Sequence, residues 1–546
     1  MISISIRAPV ADISGYGSFS RNFLLSLVSV GLYPDVYDLK SSVFSSYSHN
    51  SKDEEKLFKY LLSKRDNDIS KSVVINITPA SLFNRCYGVS IGVTMLEVSK
   101  CSDLWVERCN LMDKTLVPGS FNLKVHKDSG VNNVEILEPP LDTETFVYRP
   151  NDLYMIHRDI PEEFEFVFLT VGQIFHSIDD RKGISKLVRA FVREFRNDKS
   201  VALMVKTNVL NHHISDRIII NSRISDILQE EKSLDLLNRI IIYHRNQTKD
   251  EMATLYSNPK IRCGVFPSFG EGVGLNSLEV SACGVPIITT GWSEHINYLK
   301  QYIPLDYELR EIPCEFNQVD QSVYPKDALC AYVSVEEIQK KMRNFYESEK
   351  LKEKVHLVND YSNLSFKTIG KKILDSLKDV EIKKKVFYVP DKLQLGTGFT
   401  PQDGYFHIDI DYTRSIQIDY VMDARKLTFP NNSITNILII ELLEHFYDYE
   451  IIEILNQCMR VLKPGGEIEI HLPNVEAAFK DYLKSRGNLP SEELDSIVKT
   501  ILGSNSPHVN LVGEERLKLF LKLCRFCNIK KIGKTDRVIK LRAFKS

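Results

Sequence analysis

Pro267-Ser-Phe-Gly-Glu271-Gly-Val-Gly274-Leu-Asn-Ser-Leu-Glu279-Val-Ser-Ala-Cys-Gly284-Val-Pro286 decides how the first two-thirds of this chain are read. The run Cys263–Pro267 is apolar and reads as a buried strand. A glycine loop follows it, and a helix is predicted from near Leu275. Parallel α/β sheets bind ligands at the carboxyl ends of their strands, where helix N-termini point. Free N–H groups at such a terminus suit a diphosphate, and Gly272 and Gly274 allow a ligand close to the backbone. Glu271 and Glu279 are separated by about two helical turns, roughly 12 Å. Carboxylates so spaced suit sugar hydroxyls at one end and ribose hydroxyls at the other. In isolation the pair reads as a capped helix with one exposed and one paired Glu; the whole string shifts that reading.

Outward from this stretch, short β-branched runs alternate with amphipathic ones. Ile2–Ile6, Ser72–Ile77, Thr115–Pro118 and Val134–Ile136 read as strands, with Tyr16–Val30 as a helix. A second series follows: Phe166–Val171, Val201–Thr207, Ile240–Tyr243, Cys263–Pro267 and Pro286–Thr289, with helices at Ile184–Phe195 and Lys249–Ser257. Such alternation implies two successive parallel sheets, hinged at Pro140–Glu163. Helices are predicted at Ser334–Glu347 and Leu364–Leu377, then a charged linker over 380–391. A third series has strands at Leu393–Leu395, Tyr405–Ile410, Ile437–Ile440 and Glu467–Leu472.

The Pro267–Pro286 string resembles the donor-binding signature of retaining GT-B glycosyltransferases of family 4, and the resemblance extends over about residues 1–375. Gly15-Tyr-Gly17 resembles the glycine loop that faces the donor phosphates. Trp105 through Asp113 and Val117-Pro-Gly-Ser120-Phe121 resemble the stretch before the last strands of the first domain. Val171-Gly172 through Arg181-Lys182-Gly183 resembles the start of the nucleotide domain, and Asp360 through Leu377 the helix that crosses back. The resemblance implies that Glu271 contacts the donor sugar and Glu279 the ribose. It implies that Lys182 stabilises the departing diphosphate, with Arg181 or Lys206 as helpers, because the leaving group gains charge as the bond breaks. Gly15, Gly17, Gly272, Gly274 and Leu275 complete the donor set. No metal is expected; the Asp-x-Asp spellings at 66–68 and 409–411 lie outside the nucleotide domain. Two departures stand out. Gln173 replaces an Arg common after the first glycine. No His follows Val89–Val93, where Glu97 is the nearest ionisable group. Trp292 and His295 either line the cleft or pack the loop.

A second constellation is Lys392-Leu-Gln-Leu-Gly396-Thr-Gly398, Asp409, Asp423-Ala424, Glu441-Leu-Leu-Glu444-His445 and Arg460-Val-Leu-Lys-Pro464-Gly465-Gly466. A glycine turn admits a nucleoside to the backbone, and an acid ending the next strand can take both ribose hydroxyls. In order, the five segments resemble class I S-adenosylmethionine-dependent methyltransferases over about 390–546. The resemblance implies Gly396 and Gly398 along the methionine portion, Asp409 on the ribose, and Asp423 and Ala424 near adenine. Glu441, Glu444 and His445 rim the fourth strand, Glu444 and His445 being the candidate bases. Thr397 stands where many relatives have Cys.

The expected fold is therefore α/β: a GT-B pair of Rossmann-like domains (1–160, with 360–379 crossing back, and 161–359) plus a Rossmann-like methyltransferase domain (392–546). The expected function is a bifunctional glycan-modifying enzyme. One module transfers a sugar from a nucleotide sugar to a glycan or lipid-linked acceptor; the other methylates a sugar hydroxyl with S-adenosylmethionine. The alternatives are a glycosyltransferase with a non-catalytic docking module, and a methyltransferase with a catalytically dead GT-B region. The 546 residues carry a net charge of −2 with 43% hydrophobic and 26% charged residues, an ordinary folded composition that gives no general pull toward nucleic acid. The ten cysteines are scattered and suit a reducing cytosol. Cys524 and Cys527 fall in a predicted amphipathic helix over Leu517–Ile529 and read as structural. The run Asn22–Leu32 is too short to span a bilayer. Action from the cytosolic face, with peripheral membrane contact, is compatible with the resemblance.

Overall fold

The computed structural model describes residues 3–39, 49–63, 72–83, 89–149, 160–174, 180–207, 214–312, 323–352, 357–378, 389–397, 401–409, 420–474, 477, 480, 510, 512–534 and 538–546. Gly398, Asp411, Asp66–Asp68, Cys86, Cys314, positions 150–159 of the hinge and 380–388 of the linker lie outside them. Residues up to 381, two short segments apart, form one compact unit, and 382–546 belong to a second.

The first unit contains two parallel six-stranded sheets. One has the order β2-β1-β3-β4-β5-β6, with β1 Ser3–Ala8, β2 Asp35–Asp38, β3 Ser72–Ile77, β4 Val89–Val93, β5 Lys114–Val117 and β6 Val134–Ile136. The other runs β12-β11-β10-β7-β8-β9, with β7 Phe166–Val171, β8 Val201–Lys206, β9 Ile240–Tyr243, β10 Ile261–Phe266, β11 Ile287–Thr290 and β12 Ile303–Leu305. Its central strand β7, the run Phe-Val-Phe-Leu-Thr-Val, is buried along its length, because helices cover both faces of such a sheet. This is the GT-B arrangement. A hairpin follows, β13 Glu308–Glu311 with β14 Leu329–Tyr332.

The first five helices are α1 Gly15–Ser29, α2 Lys52–Ser63, α3 Asp103–Leu111, α4 Ser120–Asp128 and α5 Ile184–Glu194. They are followed by α6 Ile214–Glu230, α7 Lys249–Tyr256, α8 Leu275–Ala282, α9 Val335–Glu349 and α10 Phe366–Lys378. Helix α10 returns to the first sheet and packs on α1; a Cβ on Gly370 would stand 2.2 Å from the Ser26 carbonyl oxygen, so only glycine permits this approach.

In the second unit, β15 Lys392–Leu395, β16 Phe406–Asp409, β17 Tyr420–Val421, β18 Ile434–Ile440, β19 Leu462–Pro473, β20 Phe526–Lys534 and β21 Val538–Lys545 form one sheet. Its order is β17-β16-β15-β18-β19-β21-β20, with β21 antiparallel to both neighbours. Helices α11 Asp448–Val461 and α12 Glu514–Leu523 accompany it. This is a Rossmann-like methyltransferase fold. The helix expected over Leu517–Ile529 ends at Leu523. Arg525 and Asn528 take φ values of 66° and 50°, and the chain turns into β20, so Cys527 stands on an edge strand. Among the described residues no helix is long and apolar enough to cross a membrane.

Candidate functional site

The loop after β10 is held on both sides. Asp180 caps α5 by accepting from Ile184 N at 2.8 Å and Ser185 N at 2.9 Å. Gly183, at φ 67°, presses on Pro267; a Cβ there would lie 2.2 Å from the Pro267 carbonyl oxygen. That approach sets Arg181 and Lys182 against the glycine loop. Lys182 Nζ donates to both oxygens of Glu271, at 2.7 and 2.8 Å. Arg181 donates to the Gly270 carbonyl at 2.9 Å and stands 3.7 Å from Glu271 and 3.6 Å from Glu97. Burial pushes the Glu271 carboxyl up, but Lys182 and Arg181 outweigh it and hold it at about 2. Glu271 is therefore ionised throughout the neutral range.

Opposite lies the loop after β4. A Cβ on Gly270 would stand 2.0 Å from the Glu97 carbonyl oxygen, and one on Gly272 would meet Met95 at 3.0 Å. Tyr16 ties this loop to the start of α1: its hydroxyl donates to the Met95 carbonyl at 3.1 Å and accepts from Met95 N at 3.2 Å. Gly17 is wedged against the Asp12 carbonyl, where a Cβ would come within 2.2 Å, whereas Gly15 faces open space. Glu97 accepts from the Tyr324 hydroxyl at 3.1 Å, which lies between β13 and β14. Nothing in the sequence pointed to Tyr324.

Behind Glu271, His295 is buried and pushed down to about 4 by that burial, so it is neutral. Its Nε2 lies 3.1 Å from the Thr290 carbonyl, which can only accept, so Nε2 carries the proton. Nδ1 then accepts from Ser293 Oγ at 3.2 Å, and Ser293 Oγ accepts from Glu271 N at 2.8 Å. His295 thus packs the loop. Trp292 stacks edge-on against Phe121, centroids 4.9 Å apart.

Gly274, at φ 75°, caps α8, which begins at Leu275. Glu279 lies one turn further in α8. Burial pushes its carboxyl to about 8, Lys249 opposing and Asp142 reinforcing. Lys206 ends β8, where its ammonium donates to the Arg245 carbonyl at 2.6 Å and burial brings it down to about 8. The structure thus brings Arg181, Lys182 and Glu271 into direct contact, with Glu279 and Lys206 on flanking elements.

In the second unit, the register Leu395↔Ile408 sets Gly396 beside Asp409 at the carboxyl ends of adjacent strands. Gly396 takes φ 65° and donates to the Ile408 carbonyl at 2.9 Å. Asp409 is buried. A glycine turn beside a buried acid fits a ribosyl group. Asp423 is clasped by Arg425, whose backbone N, Nε and Nη2 lie 2.8–3.0 Å from it. Burial would raise the Asp423 carboxyl, but Arg425 holds it low. Ala424 is buried beside it. Glu441, the residue after β18, holds φ 45°, an uncommon conformation for a side-chain-bearing residue.

Glu444 is 3% exposed, and neither carboxyl oxygen has a hydrogen-bond partner. Burial, reinforced by Glu441, pushes it to about 8. A raised acid contributes stability that is complete below its unfolded value and lost as the pH climbs through about 8. Glu444→Gln is expected to raise the melting temperature of this unit by roughly 4 °C near pH 9 and to change it little near pH 5. Equal shifts at both pH values, by calorimetry, would remove the buried-acid account.

A sequence model of the methyltransferase-domain family matches residues 407–470, and the chain carries a methyltransferase domain. No curated protein matches the chain. Among solved structures, it is similar to Anabaena HepE in complex with UDP-glucose, at 10% identity, covering 69% of this chain and 100% of that one with a TM-score of 0.46. It is similar to sucrose-phosphate synthase from Thermosynechococcus elongatus at 14% identity, covering 69% and 98%, TM-score 0.47. A glycosyltransferase from Rickettsia africae gives 13% identity, 69% and 98% coverage, and a TM-score of 0.45.

Proposed function

We propose that the chain is a bifunctional glycan-modifying transferase. The first unit transfers a hexosyl group from a nucleotide sugar, with retention and without metal, in the manner of GT-B family 4. The second methylates a sugar hydroxyl with S-adenosylmethionine. The acceptor is a glycan or lipid-linked saccharide, as in polysaccharide biosynthesis, met in the cytosol or at the inner face of a membrane.

The observation that carries the first activity is the ion pair between Lys182, just before α5, and Glu271, on the glycine loop at the carboxyl end of β10, across from the Met95–Glu97 loop. An ionised Glu271 can accept from sugar hydroxyls. Lys182, with Lys206 and Arg181 near, supplies positive charge where a diphosphate gains negative charge. Gly15, Gly17, Gly272, Gly274 and Leu275 line the donor side, and Glu279 takes the ribose.

For the second activity, Gly396, Gly398, Asp409, Asp423, Ala424 and Glu441 would hold S-adenosylmethionine, whose sulfonium supplies an electrophilic methyl group. His445 would take the acceptor hydroxyl's proton; Glu444, raised to about 8, would do so only in its ionised form. A single observation favours a docking module instead: Asp423 is already engaged by Arg425, which also pairs with Glu450.

The test is a panel of nucleotide sugars mixed with the full chain, read by nucleotide release and thermal shift, with S-adenosylmethionine in parallel wells. A response to one nucleotide sugar fixes base and sugar together. Silence across the panel with a response to the methyl donor alone would leave the first unit a binding scaffold.

A further inference from the structure

Asn122, the third residue of α4, is fully buried, and each of its polar groups is used. Its side-chain oxygen accepts from Leu96 N at 2.7 Å, within the loop after β4. Its side-chain nitrogen donates to the Gly272 carbonyl at 3.3 Å and to Glu294 Oε2 at 3.1 Å. Its backbone N donates to the same Oε2 at 2.7 Å, and its carbonyl accepts from His126 Nδ1 at 2.7 Å. That last direction is fixed because Trp105 Nε1, which can only donate, lies 3.0 Å from His126 Nε2.

Glu294 is also fully buried. Its other oxygen accepts from Asn297 Nδ2 at 2.7 Å, and it reaches so far under α4 that a Cβ on Gly119 would lie 2.2 Å from it. Backbone bonds join it to the candidate catalytic loop. Glu294 N donates to the Glu271 carbonyl at 3.2 Å, and its neighbour Ser293 accepts from Glu271 N at 2.8 Å. A continuous path of hydrogen bonds therefore runs from α4 beside the first sheet, through one buried carboxylate, to the backbone of Glu271. Gly119, Gly270 and Gly272 each leave room for an approach a Cβ would block, so both sides of this seam are shaped for it.

We infer that Glu294 is a positioning residue, the latch through which the acceptor-side domain sets the place of Glu271, with Asn122 as its keeper. The inference rests on the glycosyl-transfer reading for its kinetic consequence, but not for its geometry. A buried carboxylate accepting from an N–H in a helix's first turn holds more firmly than a neutral contact would. A displacement of about 1 Å at a reacting group costs on the order of 100-fold in rate. Nucleotide held by the second sheet alone depends on the latch far less.

The test uses the full chain with Glu294→Ala and Glu294→Gln, the second keeping one oxygen for Asn122. Three readouts are compared: hydrogen exchange of peptides spanning 94–97 and 120–124, UDP and GDP binding by calorimetry, and steady-state transfer from whichever donor the wild type uses. In Glu294→Ala, exchange at Leu96 and Asn122 is expected to rise at least tenfold. Nucleotide affinity and donor KM should stay within about threefold and kcat fall about 100-fold, with Glu294→Gln recovering most of both losses. Unchanged exchange in Glu294→Ala overturns the latch. So does a kcat within about threefold of wild type, or a loss carried entirely in nucleotide affinity. Should the wild type turn over no donor, the transfer reading fails on its own, and the exchange measurement still decides the latch.

Discussion

Glu271→Ala is expected to lower glycosyl transfer by about three orders of magnitude while the chain stays folded. Two losses coincide in this variant. The carboxylate that would hold the donor sugar disappears, and Lys182 loses the group that keeps its ammonium charged. Burial already pulls Lys182 down, and Glu271 is the strongest opposing influence. Without it the ammonium gives up its proton more readily, and the positive charge proposed to meet a leaving diphosphate weakens. Glu271→Gln separates the effects, because it keeps the shape and one acceptor oxygen. Its remaining turnover should fall with rising pH, and at a lower pH than that of wild type, because the Lys182 ammonium loses its strongest counter-charge. Lys182→Arg in the Glu271→Gln background should remove that slope, since a guanidinium stays charged. The measurement is nucleotide release against pH with a saturating donor. Wild-type turnover in Glu271→Ala would place the reaction elsewhere in the cleft.

This cluster was legible in the sequence because its members sit in short, glycine-marked segments whose spacing is local. Gly183 before α5 and Gly274 before α8 mark two loops at the carboxyl ends of neighbouring strands, and in the structure Gly183 presses on Pro267 at the start of the second loop. The central strands were legible for a similar reason: a run such as Phe166–Val171 is apolar on both faces only when both are covered. The latch was not legible. Asn122 and Glu294 lie 172 positions apart, and neither belongs to a local pattern that demands the other. The neighbourhood of Arg181 was equally hidden. A cation beside Lys182 suggested phosphate, yet its guanidinium bonds the Gly270 carbonyl and stands between Glu97 and Glu271. At the C-terminus, Leu517, Leu521 and Cys524 keep helical spacing, and the pattern gave no notice of the turn at Arg525. Strand β20 escaped because register shifts break its alternation with β21, so the period of two that marks a strand is blurred.

Asp409→Ala is expected to weaken S-adenosylmethionine binding about 100-fold and to leave glycosyl transfer unchanged, because Asp409 belongs to the second unit. The magnitude follows from the chemistry assigned to this acid. A carboxylate accepting from two ribose hydroxyls makes two charge-assisted hydrogen bonds, each worth about 1.5 kcal/mol, and about 3 kcal/mol is about 100-fold in affinity. Its place supports that role: pairing of β15 with β16 brings it beside Gly396, and burial shields the bonds from competing water. Asp409→Asn keeps the volume and one acceptor, so its loss should be about tenfold, which separates a lost contact from a disturbed core. Calorimetric titration of the full-length variants with S-adenosylmethionine gives both numbers, and nucleotide release from the same preparations reports the first unit. Unchanged affinity in Asp409→Ala would detach the acid from the donor. Together with Asp423 held by Arg425, that outcome would shift the second unit from methyl transfer to docking, since neither acid would then remain to grip the nucleoside.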